Sequence, residues 1–442
     1  MSTDPESLMG WDRRLLGEVA EITLGGTPST EVPSFWNGHI PWMASGEVNK
    51  RHVFEVDGRI TTAGLAASNA TLVDPPTVAV GLAGQGKTRG TVAMVHMRVC
   101  TNQSIALLKG KNDSLDSGFL FHNLENRYDE LRSRSAGGGR AGLSREILQR
   151  TPITMPDVPE QRRIAAVLDL IDAAIAKTEA VIAKLKQIRA GLVHDLLTRG
   201  LDENGHLRDP VAHPEQFKDS PVGRIPREWT YSLFRAVLDS IDAGKSPDYP
   251  DYPAPPGQWG VLKVSAVWPD GFRPEENKWV TKAMHQEAQY DVRDGDLLIS
   301  RSNTYALVGL VCLVRNPPQR LMLCDKTLRL KLDPSLGLNP FFALLLQTRA
   351  ARSQIEINAT GTSGSMKNIS QEVIRGLKLA YPVVEEQQRI LDAIAPLDRD
   401  LGALRRERSK LAWLKSGLTA DLLTGRIRVP EGMLTVPSKG ST

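Results

Sequence analysis

Two stretches of the chain carry apolar residues at steps of three and four, the spacing of one helical face. The first, Glu160–Thr198, aligns Ile164, Leu168, Ile171, Ile175, Ile182, Leu185, Ile188, Leu192 and Leu196, with Thr178 as its polar member. The second aligns Ile390, Ile394, Leu397, Leu401, Leu404, Leu411, Leu414, Leu418 and Leu422, with Arg408 as its polar exception. Each stretch predicts a long helix, a rod of about 58 Å for about 39 residues. A single apolar stripe has to be buried, and these helices are long for a globular domain. The matching seams predict that the helices pair with each other as a coiled coil. If the halves are related by a pseudo-two-fold axis, the pair is antiparallel and holds the flanking domains a fixed distance apart. Pro159 suits a first helical turn. Pro396 lies inside the second pattern, where a proline costs roughly 3 kcal/mol, and predicts a kink or break.

The remaining sequence alternates short β-type runs with Gly, Pro and Ser. Thr77–Gly81, Thr91–Met97, Asp296–Ser300, Leu307–Val314 and Leu328–Leu332 read as strands, and Ser117–Arg132 and Asn339–Ile357 as short helices. The chain is therefore expected to be α+β, with two globular domains in tandem separated by the two long helices. The expected boundaries are a first domain over 1–157, a helix over 158–200, a linker over 201–228, a second domain over 229–382, a helix over 383–426 and a tail over 427–442.

This organisation is an internal duplication. At one offset, Ser144–Leu148 lies on Ser370–Ile374, Pro156 on Pro382, Glu160–Ile164 on Glu386–Ile390, and Asp195–Thr198 on Asp421–Thr424. Chance does not hold one register over so long a stretch. The globular parts align more loosely. Trp11 answers to Trp229, Gly26–Thr27–Pro28 to Lys245–Ser246–Pro247, and Ile40–Met43 to Trp259–Leu262. Cys100–Gln103 resembles Cys324–Thr327, and the loop from Ala136 to Gly142 answers to Gly361–Ser365. A shared scaffold with divergent side chains suits two domains that read different targets.

Composition narrows the function classes only slightly. Fifty-five basic residues nearly balance 51 acidic ones, for a net charge of +4, so any basic surface must arise by local clustering. The start is polar and acidic, unlike a signal peptide, and no apolar run reaches the length of a membrane span. These features predict a soluble, cytoplasmic protein. Cys100, Cys312 and Cys324 have no zinc-type spacing, so no metal site is expected.

Two motifs point to catalysis and fail on their context. Gly81–Thr88 satisfies the spacing of a nucleotide-binding P-loop, but Arg89–Val95 then reads as turn and strand where phosphate binding needs a helix N-terminus. A P-loop enzyme remains a minor alternative, and a glycine-rich loop placing Lys87 and Arg89 near DNA is the better reading. Asp74–Thr77 and Asn316–Gln319 resemble the Asp/Asn-Pro-Pro-aromatic motif of amino-methyltransferases, but Thr77 and Gln319 cannot stack on a flipped base.

The chain resembles the specificity subunits of type I restriction–modification systems. The likeness rests on Pro159–Ile164 and its copy Glu386–Ile390, on Gly223–Trp229, and on the helix ends Asp195–Thr198 and Asp421–Gly425. The resemblance implies a non-catalytic subunit with two target-recognition domains, each reading one half of a split double-stranded DNA site. It implies an antiparallel coiled-coil spacer and two methyltransferase partners that methylate adenine with S-adenosylmethionine. Restriction subunits using ATP and Mg would join in some systems. A scaffold of the same fold that does not read DNA is the other alternative.

Candidate DNA contacts are donors on loops, since Arg and Lys suit guanine edges and Asn and Gln suit adenine edges. In the first domain these are Thr27, Ser45, Gln85, Lys87, Arg89, Asn102, Gln103 and Arg140. In the second they are Lys245, Lys263, Arg301, Ser302, Asn303, Lys326, Ser365 and Lys367. The candidate helix-pairing residues are Ile164, Leu168, Ile171, Ile175, Leu185 and Leu192 on the first helix, and Ile390, Ile394, Leu397, Leu401, Leu411 and Leu418 on the second.

Overall fold

The computed structural model describes residues 10–84, 86–134, 142–361 and 366–432. The chain folds as two compact units, Met1–Ala180 with Arg405–Thr442, and Val181–Leu404. Each unit holds one globular domain, the first part of one long helix and the last part of the other.

The two domains share one topology. In the first, a five-stranded sheet runs in the order Ala20–Leu24, Ile105–Gly110, Thr77–Gly81, Val92–Val95 and His52–Val53. In the second, the order is Leu238–Ala243, Thr327–Leu332, Leu297–Ser300 and Val311–Leu313. The central strands Thr77–Gly81 and Leu297–Ser300 are buried at every position, which is why they read as continuous apolar runs. A three-stranded sheet follows the same plan in both domains, built on Trp36–Met43 in one and Gly260–Leu262 in the other. Each domain is closed by an antiparallel pair, Asp12–Leu15 with Pro152–Met155 and Thr230–Leu233 with Lys378–Tyr381.

Register corrects one alignment. Ile105 lies opposite Gly81, and Thr327 lies opposite Ser300, each pair ending a central strand. Ile105 and Thr327 are therefore equivalent, so Gln103 corresponds to Asp325, not to Thr327. Matching the two cysteines displaced that segment by two residues. The expected short helices are each divided, into Ser117–Glu125 and Tyr128–Arg134, and into Asn339–Leu345 and Arg349–Asn358. Thr348 makes the second division, its hydroxyl accepting the Ala351 N–H as an N-cap.

The long helices span Val158–Arg199 and Val384–Leu422. The second is continuous through Pro396, so of the kink or break expected there the break does not occur. Ile394 and Leu401, 2% and 4% exposed, bury its flanks and outweigh the one lost backbone hydrogen bond. Within each unit the helices pair antiparallel. In the first unit Asp172 meets Lys415 and Glu179 meets Arg408; in the second Arg189 meets Asp398. The Asp172–Lys415 and Asp398–Arg189 pairs are the same pair of repeat positions with roles exchanged.

The seam is not uniformly buried. Ile164, Leu168 and Ile171 are buried, the first two in the core of the first domain, and Ile390 and Ile394 are buried in the core of the second. Leu401 is also buried, whereas Ile175, Leu185, Leu192, Leu397, Leu411 and Leu418 are half-buried. Ile188 and Leu414 are 46% and 44% exposed, because two helices alone cover only one side of such a stripe.

The start of each long helix is anchored twice. Gln161 accepts the Asp116 N–H and donates to the carbonyls of Ser114 and Pro156. Gln387 does the same with the Leu338 N–H and the carbonyls of Leu336 and Pro382. The preceding glutamates bind the chain that leaves the end of the other helix. Glu386 accepts from Arg208 at 2.7 Å, from the Leu201 N–H at 2.9 Å and from the Trp229 indole at 3.1 Å. Glu160 is held by both nitrogens of an Arg428 fork, and Arg428 also lies 5.9 Å over the Trp11 ring. Gly200 has φ +66° and a Cβ there would lie 2.4 Å from the Glu386 carboxylate, so this turn requires glycine.

Arg208→Met strands the Glu386 carboxylate, which is only 4% exposed. We expect a loss of about 3–5 kcal/mol in chemical denaturation, the scale of a broken buried pair. A loss below about 1 kcal/mol would mean that the indole and backbone donors suffice.

Candidate nucleic-acid interface

In both domains the central strand turns back through a hairpin of the same length. Gly90 donates to the Gly81 carbonyl and Gly309 to the Ser300 carbonyl, each at 2.8 Å, and both glycines have positive φ. The hairpin base is tied to the neighbouring turn in the same way, by Leu82 N–H to Ser104 O and Arg301 N–H to Lys326 O. The P-loop-like segment is thus the tip of an antiparallel hairpin, with Val80 opposite Val92, and no helix follows to face a phosphate.

In the first domain this frame gathers the candidates at one end. The Thr27 hydroxyl donates to the Gln103 side chain, and the Asn102 N–H donates to Met43 O, two residues before Ser45. The Asn102 carboxamide oxygen accepts the Ser104 N–H, which fixes the orientation of the side chain. Lys87 is exposed on the hairpin and makes no ion pair among the described residues, while Arg89 is half-buried. Gln85 and Arg140 lie outside the described residues.

In the second domain Arg301, Asn303, Lys326 and Lys367 come together. Strand Ser302–Asn303 pairs with Lys367–Asn368, and Arg301 and Lys326 make no ion pair among the described residues. Ser302 is 8% exposed and its hydroxyl donates to Asn368, so it faces inward. Lys245 and Lys263 are also less available than their sequence suggests. Lys245 pairs with Glu287 at 2.8 Å, and Lys263 bridges Glu276 and Asp251 at 2.8 and 3.1 Å. The Glu276 hydrogen bond holds the Lys263 ammonium above its ordinary pKa, keeping it charged. Lys263 and Lys326 line one cleft of about 480 Å³ with Ser246, whose hydroxyl donates to Asp325. That pair stands where Thr27 and Gln103 stand in the first domain. Ser365 lies outside the described residues.

The residues that shape the hairpins are not loop donors. Arg132 donates to Gly86 O at 2.8 Å and Arg89 O at 3.1 Å, with its guanidinium 5.4 Å above the Tyr128 ring. Arg352 donates to Val308 O at 2.7 Å in the equivalent place. Both arginines sit on helices and read as surface charge in sequence. The equal length of the segments Gly81–Gly90 and Ser300–Gly309 is the signal that could have located them.

A second charged cluster ties the first domain to both helices of its unit. Arg51, in the left-handed region at φ +63°, reaches Glu125 at 2.8 Å and Asp172 at 2.6 Å, and Lys415 reaches Asp172 at 2.7 Å. His122, Glu125 and Asp172 offer ligand atoms within 4.8 Å of one another. Their carboxylates are already neutralised by Arg51 and Lys415, so the set does not suit a metal cation. Burial pushes the Glu125 and Asp172 carboxyls up, but the hydrogen bonds and charges of Arg51 and Lys415 outweigh it and hold both below the usual range.

Groups held low contribute stability above the ordinary carboxylate range and lose it as pH falls from that range through their lowered folded-state values. Acid denaturation of the chain should therefore begin below about pH 5. Asp172→Asn should flatten that dependence while lowering stability at neutral pH. An acid limb identical to wild type would place the sensitivity elsewhere.

Comparison with known proteins agrees with this architecture. Residues 9–187 and 257–411 match the family model described as the type I restriction modification DNA specificity domain. The chain is 31% identical over 195 residues to the type I restriction enzyme EcoEI specificity subunit of Escherichia coli, spanning 44% of this chain and 33% of that subunit. It is 21% identical over 431 residues to the MjaVIII specificity subunit of Methanocaldococcus jannaschii, spanning 95% and 93% of the two chains. Its fold is similar to the S subunit of a type I restriction–modification system from M. genitalium, with TM-score 0.58, 16% identity, and 95% and 98% of the chains covered. A chain from a structure of the type I R-M system, solved to explain complex assembly and conformational transition, aligns with TM-score 0.52, 18% identity, and 97% and 100% covered.

Proposed function

The chain belongs to the type I restriction–modification DNA specificity family, and on that premise we propose that it reads a two-part DNA sequence for a separate adenine-N6 methyltransferase. One observation carries this reading. Both domains build the same hairpin-and-turn platform, and the platform carries different side chains in each. Lys87, Thr27 and Gln103 occupy it in the first domain; Arg301, Asn303, Lys326 and Lys367 occupy it in the second. One frame with two chemistries suits two unlike half-sites.

In this reading the chain binds and orients DNA and performs no chemistry of its own. S-adenosylmethionine belongs to the partner methyltransferase, and ATP and Mg to any restriction subunit. Two methyltransferase subunits would bind the parts that the duplication keeps most alike, the long helices and their ends. The half-buried seam and the exposed Ile188 and Leu414 leave apolar surface there for partner helices. No helix among the described residues is long and apolar enough to cross a membrane, consistent with work on DNA in the cytoplasm.

The decisive experiment is co-expression with the neighbouring methyltransferase, followed by mapping of methylated adenines. A split motif is expected, with no methyl transfer by the purified chain alone. Lys87→Ala should weaken binding across all sequences and lower the salt slope by about one phosphate contact, without changing the second half-site. A complex that binds random DNA equally well at raised salt would sink the reading.

A further inference from the structure

Equal hairpin length fixes a residue-by-residue correspondence between the two platforms. Gly81 to Gly90 and Ser300 to Gly309 are bounded by the same hydrogen bonds, so the place of Gly86 in the first is taken by Tyr305 in the second. The next residues change in the same sense, from Lys87, Thr88 and Arg89 to Ala306, Leu307 and Val308. The first hairpin presents a cation, and the second presents an aromatic ring.

That ring is 53% exposed and makes no ring contact among the described residues. At the strand segment paired with the start of the hairpin, Met366 is 51% exposed and immediately precedes Lys367–Asn368, which pairs with Ser302–Asn303. The hairpin is not loose. Arg352 donates to Val308 O at 2.7 Å, the Ser300 hydroxyl donates to Leu307 O at 2.8 Å, and the Asn303 side chain accepts the Thr304 N–H at 2.8 Å. A rigid support thus holds apolar side chains in water amid Arg301, Lys326 and Lys367. Cations set around an apolar tip complement a duplex groove, where phosphates flank thymine methyls and base steps that an apolar side chain can contact or partly unstack.

We propose that Tyr305 is the apolar base contact of the second recognition domain and sets its preference at one or two adjacent base pairs. The inference rests on the reading of the chain as a DNA specificity subunit.

The test uses the full chain in complex with its methyltransferase. Binding is measured on every single-base variant of the mapped site, for wild type, Tyr305→Ala and Tyr305→Phe. Tyr305→Ala should lose about tenfold discrimination at one or two neighbouring positions of one half-site, the scale of one aromatic–base contact. It should keep the other half-site profile, the thermal midpoint and the salt slope, because it removes neither core nor phosphate contacts. Tyr305→Phe should behave as wild type, since the ring makes the contact. A Tyr305→Ala complex with the wild-type profile overturns this inference and leaves the DNA reading intact. A Tyr305→Phe complex that behaves like Tyr305→Ala also overturns it, by assigning the effect to the hydroxyl. A wild-type complex without any base preference overturns the DNA reading, and this inference with it.

Discussion

A carboxylate buried at the start of each long helix organises the rest of the structure. Glu386 gathers Arg208, the Leu201 N–H and the Trp229 indole around one pair of oxygens. Burying an ion is costly, and it is tolerated here because every donor is fixed in place. The cost makes the joint selective: the chain leaving the first helix has to return an arginine to the start of the second. Glu160 and Arg428 repeat the joint in the other unit, with Trp11 as the packing partner. The copies are not identical. The Trp229 indole donates to its glutamate, whereas the Trp11 indole N–H is buried and finds no partner among the described residues.

From that joint outward, constraint gives way to variation. Gln161 and Gln387 make matching sets of three hydrogen bonds, and the sheets behind them share the order of four strands. At the hairpins only the backbone scheme persists, with glycine at its far corner and an arginine bracing it from the next helix. The tips then diverge from cationic to aromatic. A backbone hydrogen-bond frame specifies shape without specifying side chains, so evolution can alter what such a tip touches without disturbing what holds it.

Much of this was legible in the chain. The duplication and both long helices follow from apolar spacing, and the P-loop-like segment was recognisable as a turn because a strand pattern followed it. Among the candidate site residues, the fold brings Arg301, Asn303, Lys326 and Lys367 together, with Asn303 and Lys367 on paired strands, and it joins Thr27 to Gln103. Lys245, Lys263 and Ser302 carry the right chemistry, but their partners Glu287, Glu276, Asp251 and Asn368 are distant in sequence. Tyr305, Arg132 and Arg352 do not stand out as loop donors in the sequence. An aromatic tip and a helical brace have no such signature.

Sequence alone determined that there are two copies, that each ends in a long amphipathic helix, and that the copies differ most in their globular parts. These are properties of local periodicity and of repetition, which need no knowledge of distant contacts. Tertiary structure decided which cations are already neutralised, that the helix continues through Pro396, and that Gln103 answers to Asp325. It also decided that the end of each long helix docks beside the start of the other. Each of these depends on groups far apart in the chain, where the free energy of burial and pairing outweighs local preference.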